Sequence, residues 1–273
     1  MTTTVEPAAP TDVDPVHRVT ISRVIRSEWS KLWSLRSSWA TLGIALLFLV
    51  GLGTVAAALY SPTGPMGSDH SGGAAVTLAL SGTNLAALAV GALGVLLSAG
   101  EYGTGMVRST FAAVPKRLPV LWAKSLVLGP TAFLSCTVAA VASFLFGSAI
   151  LHGQAIAVSL GHADVLRCLV GAGFYLGFVA VLGVTVGMLV RNSAAGIAIL
   201  AGVVLVLPGL TGLLPGSWSD TVNRFLPSSA GQSLTSATQP AHLFGPAAGL
   251  FVLVGWAIVL LAGAAYRLRR TDV

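Results

Sequence analysis

Between Trp39 and Tyr266 the chain is divided into six long apolar stretches, near 39–60, 74–99, 125–151, 165–190, 194–214 and 246–266. A helix needs about 20 mostly apolar residues to cross a bilayer, and each stretch reaches that length. The pattern predicts an all-α integral membrane protein with six transmembrane helices. Composition points the same way. Only 9% of the 273 residues are charged and 55% are hydrophobic, whereas a soluble domain carries about 25% charged residues. One integral domain of about six spans uses most of this length and leaves little for a soluble domain.

The charges lie at the edges of the apolar stretches. Thirteen Lys and Arg residues fall on one side of the predicted membrane, among them Arg23, Arg26, Lys31, Arg108, Lys116, Arg117, Lys124, Arg191 and Arg270. Only Arg167 and Arg224 fall on the other. This bias predicts that the basic side is cytoplasmic, with both termini there. The net charge of +6 therefore reads as a topology signal. A nucleic-acid binder would gather its cations on one folded face, so no nucleic-acid partner is expected.

Met1–His17 is acidic and Pro-rich and reads as a disordered cytoplasmic tail, not a signal peptide. Arg18–Ser38 differs. Ile21, Val24, Ile25, Trp29, Leu32 and Leu35 recur at helical spacing, with Arg23, Arg26 and Lys31 on the polar side. An amphipathic helix at the membrane surface is predicted. Glu28 breaks the pattern, because it points into the apolar stripe. A carboxylate there is costly unless it is paired or meets protein.

The longest polar interruption between two apolar stretches is the one from Ser98 to Lys124. The bias of charges places it in the cytoplasm. The outer segments 61–73 and 152–164 carry no Lys or Arg. The outer segment Pro215–Gly245 is long, and fits either a re-entrant helical pair or an ordinary exposed loop. Gly173, Gly177, Gly183 and Gly187 form two GxxxG patterns, which predict close helix packing in lipid. A transport dimer would use a Gly-lined face; a membrane anchor would not need one.

Several chemistries lack their residues. The three lysines follow Ser30, Pro115 and Ala123, so there is no GxxxxGK[ST] phosphate loop and no ATP hydrolysis is expected from this chain. The five histidines show no ligand spacing, and neither a metal nor any other cofactor is expected. Cys136 and Cys168 lie in or at the edge of apolar stretches and read as packing residues. The stretch interiors hold almost no ionisable group, which argues against an ion-coupled carrier. No internal repeat weighs in favour of a duplicated secondary transporter.

Four segments share a family pattern: SEWSKLWSLRSSWATL (Ser27–Leu42), GEYGTGMVRSTFAAVPKRLPVLWAK (Gly100–Lys124), VRNSAAGIAI (Val190–Ile199) and FLPSSAGQSL (Phe225–Leu234). They resemble type-two ABC exporter permeases of actinobacteria, the second segment most specifically. Gly103 departs from the pattern, which has a basic residue after Glu-Tyr. The resemblance implies six spans in the bacterial cell membrane, an amphipathic N-terminal helix and a coupling helix between spans two and three. It implies a dimer with a second permease copy, and a separate ABC ATP-binding subunit that carries ATP and Mg. Substrates of the family are lipids, drugs, peptides or polysaccharides, moved outward.

On that reading Thr104–Val114 forms the coupling helix, and Pro115 stops it. Lys116 and Arg117 face acidic partner residues or headgroups. Glu28, Glu101, Tyr102, Thr104 and Arg108 complete the expected coupling surface. Glu101 is expected to pair with Arg108 or with a residue of the amphipathic helix; a solvated loop is the alternative. Two other functions stay open: an ATPase-independent transporter or scramblase, and a membrane anchor or sensor subunit.

Overall fold

The computed structural model describes residues 20–61, 72–114, 117–153, 156, 160–161, 163–213, 215–238 and 243–270. These residues form helices, with no strand among them. Among the described residues, six helical segments are long and apolar enough to cross a membrane: Arg36–Ala58, Gly73–Gly103, Leu118–Ile150, Asp164–Val190, Ser193–Thr211 and Pro246–Arg270.

A short helix α1 (Ile21–Ser34) precedes them. Leu35 is extended, and α2 (Arg36–Ala58) follows at once. Of the α1 stripe, Val24, Glu28 and Leu32 are buried against the bundle, with α6 as the main neighbour. Trp29 and Trp33 stay exposed and stack, with Trp39 next in the row. Their amphipathic rings suit a bilayer boundary. Half of the predicted stripe thus faces protein.

The second span is broken. α3 (Gly72–Ala79) and α4 (Thr83–Gly103) are joined by a turn at residues 80–82. A helix end leaves carbonyls without partners. The Ser143 hydroxyl donates to the Ala79 carbonyl at 2.7 Å. Gly82 sits against the Phe48 and Leu49 backbone, where a Cβ would collide. The break is therefore held by α2 and by α6 (Leu118–Ile150).

α6 begins at Leu118, with Pro119 in its first turn, where a missing N–H costs nothing. The predicted start near residue 125 is corrected by nearly two turns. Lys124 is a helix residue, not part of a loop.

α7 (Ala163–Val190) is the axis of the bundle. Within its most apolar window 78% of residues are buried, against 17% for the last span. Gly173 and Gly177 touch Phe133 and Thr137 or Gly129 of α6, and Gly183 and Gly187 touch Gly91, Val95 and Ser98 of α4. A Cβ on Gly183 would strike the Gly91 carbonyl. All four glycines serve contacts inside the chain, which leaves none of them for a second copy.

The fifth span is α8 (Ser193–Ala201), a π turn (Gly202–Val206) and α9 (Leu207–Thr211). The π turn lies just before Pro208, because a proline cannot sit under an unaltered preceding turn. The segment after it holds two short helices, α10 (Gly216–Arg224) and α11 (Pro227–Thr235). α11 is largely buried between α7 and the final helix α12 (Pro246–Arg270). The Trp256 indole donates to the Phe225 carbonyl at 2.8 Å and anchors the turn between α10 and α11.

Candidate functional site

The strongest concentration of charge lies where α1 crosses the ends of α4 and α6. Glu28 is buried in the middle of the α1 contact face. Glu101 lies in the last turn of α4, and Lys124 in the second turn of α6. Lys31 stands three residues after Glu28, roughly 60° from it around α1, and reaches back to it.

These four groups close into a quartet of alternating sign. The Lys124 ammonium donates to Glu28 Oε2 and Glu101 Oε1, both at 2.7 Å. Its third proton goes to the Leu97 carbonyl at 3.0 Å. An ammonium has three donors, so Lys124 is saturated. Lys31 Nζ donates to Glu28 Oε1 at 2.7 Å and to Glu101 Oε1 at 2.9 Å. Two carboxylates meet two ammoniums, and the formal charges cancel.

Burial decides what this arrangement does. The Lys124, Glu28 and Glu101 side chains are 4%, 6% and 10% exposed, and Lys31 is 25% exposed. Buried charges are tolerated only when paired and hydrogen-bonded. Burial pushes Lys31 toward its neutral form. Hydrogen bonding and attraction, first from Glu28 and then from Glu101, outweigh this and raise its pKa above the ordinary 10.5. A cavity of about 220 Å3 opens beside the quartet, bounded by Leu35, Thr41, Leu96 and Met106.

Tyr102 points away from the quartet, as adjacent helix residues must. Its ring carries the Arg191 guanidinium at 5.2 Å. Arg191 adopts the left-handed region, φ 61°, in the link between α7 and α8. Thr104 caps the end of α4 by donating its hydroxyl to the Gly100 carbonyl at 3.0 Å. Gly105 at φ 75° turns the chain into α5 (Met106–Ala113). This helix is shorter than the predicted Thr104–Val114. It leaves Met106, Ser109 and Ala112 exposed. A side chain at Gly103 would meet open space.

Of the predicted coupling residues, Glu28 and Glu101 come together, joined through the two lysines. Tyr102 and Thr104 lie beside them on other faces. Arg108 lies on α5, but its side chain is outside the described residues, as are Pro115 and Lys116. Arg117 is half-buried at the start of α6. Of the two partners predicted for Glu101, a residue of the N-terminal helix is present, as Lys31, and Arg108 falls outside what the described side chains test. Lys124 was missed as a site residue. Pro119 was the available signal, since a proline marks the first turn of a helix.

Among the described residues, no group of three or more His, Cys, Asp or Glu could hold a metal ion. Cys136 and Cys168 are both free thiols, buried in the bundle. No protein-family model matches the chain, and no curated protein matches it.

Proposed function

We propose that the chain is the transmembrane permease subunit of an ABC exporter. It works as a dimer in the bacterial cell membrane, with both termini cytoplasmic. A separate ATP-binding subunit holds ATP and Mg, and its closure drives an amphipathic substrate outward. α1 is the amphipathic helix at the membrane surface, and α5 is the coupling helix that receives the stroke.

One observation carries the reading. The ion quartet ties α1 to α4 and α6, the two helices from which α5 hangs. A push on α5 therefore reaches two spans and α1 as one body. The sequence adds that the chain has no phosphate-binding loop, so work has to arrive through such a surface. Two packings of the spans, biased by the partner, would supply the alternating states.

The test uses complexes purified in mild detergent. A P-loop ATPase encoded beside this chain co-purifies with it. Met106→Asp on the exposed face of α5 releases that ATPase and stops ATP-driven transport, with no loss in the thermal midpoint of the chain alone. Translocation in vesicles that contain no nucleotide-binding partner would overturn the proposal. So would co-purification that is indifferent to α5.

A further inference from the structure

A second recess, of about 410 Å3, lies toward the other end of the bundle. Asn84 on its rim and Glu101 in the quartet are separated by roughly 26 Å of α4 at about 1.5 Å per residue. The recess volume is in the range of small-molecule sites, about 300–1,000 Å3. Its wall is assembled where three irregularities meet: the break between α3 and α4, the π turn that leads to Pro208, and the buried helix α11. Breaks and π turns expose backbone and often mark functional positions.

The chemistry of the wall is specific. Among the described residues, no Asp, Glu, Lys, Arg or His lines it. Asn84, Asn223 and Gln232 bring amides, which both donate and accept. Ser228 and Tyr175 bring hydroxyls. Tyr175 is only 3% exposed. Neither its hydroxyl nor that of Ser228 has a hydrogen-bond partner among the described residues. Buried polar groups in folded proteins are nearly always paired. Phenylalanine at 175 would fill the same space without the orphan group. The Tyr175 ring packs on Gly231, where an added Cβ would come within 2.7 Å of the ring Cγ.

We propose that this recess binds a neutral polyhydroxylated group, a glycosyl unit, through Tyr175, Ser228 and the three amides. An ion would find no opposite charge among the described wall residues. An alkyl chain would leave the hydroxyls and amides unpaired. Hydroxyl-rich ligands donate and accept at once, as do these five polar wall residues. The inference concerns a site inside one chain and holds with or without an ATPase partner.

The experiment uses the full chain purified in a detergent without a sugar head. One arm titrates free maltose and follows the thermal midpoint. The other places the chain in phosphatidylglycerol nanodiscs, with or without a monoglucosyl diacylglycerol, and reads retained lipid by native mass spectrometry. Saturable binding in the first arm identifies a free saccharide as the source. Binding in the second arm alone identifies a glycolipid head. In either case Tyr175→Phe weakens binding about tenfold, the loss of one good hydrogen bond, and does not lower the thermal midpoint. Gln232→Leu, at an exposed position, weakens it similarly. The proposal is overturned if neither arm binds, if both variants bind as the parent does, or if phosphatidylglycerol alone is retained equally.

Discussion

At the α1 end of the bundle, four formal charges lie within 2.9 Å of their partners, and Lys124 spends its last proton on a carbonyl. Toward the other end, a recess with no charged residue among its described wall residues holds two hydroxyls that pair with nothing described. Both are polar regions inside an apolar bundle, yet their accounts with solvent are opposite. Among the described residues the quartet's charges are matched within the chain, which fits the mechanical role proposed for it. The recess leaves two hydroxyls unpaired, which fits the recognition proposed for it.

Removing one member of the quartet tests the first half of that contrast most severely. Lys124→Met leaves Glu28 and Glu101 buried with Lys31 alone. Breaking a buried pair in this way costs about 3–5 kcal/mol. The drop should appear as a large fall in thermal midpoint in detergent, and a change near zero would mean the quartet is hydrated. Tyr175→Phe tests the second half, with the opposite sign. It removes a polar group without a partner, whose burial costs about 1–3 kcal/mol. The unliganded variant is therefore as stable as the parent or more so, by the same thermal assay. A clear loss would show that the hydroxyl is already satisfied.

The smallest effect comes from pH. The folded pKa of Lys31 is raised, so its contribution is complete below the unfolded value of about 10.4. It is lost as pH rises through the folded pKa. Alkaline titration should loosen α1 only above that unfolded value, read from the emission of Trp29 and Trp33 and absent in Lys31→Met. Loosening near neutral pH would point to another group.

The six spans were legible because length and hydropathy alone specify them. Glu28 was legible as a misfit, since a carboxylate in an apolar stripe demands a partner. The partner was less so. Lys31 was placed on the polar face by its wheel position, although a long flexible side chain reaches across roughly 60° with ease. Lys124 was lost to the loop because an apolar window begins only where charge ends, while the helix itself begins at Leu118. The recess left no trace in the sequence. Its residues are ordinary Asn, Gln, Ser and Tyr from several elements, and only tertiary packing brings them together.

The π turn at Gly202–Val206 has a consequence for any experiment that maps the fifth span. It holds one residue more than an α turn would, which shifts the phase of everything after it by roughly 100°. A cysteine scan along this span will therefore show one accessibility wave through Ala201 and a second, out of step with the first, from Leu207. A single helical wheel drawn across both would assign Leu207 and Leu210 to the wrong sides.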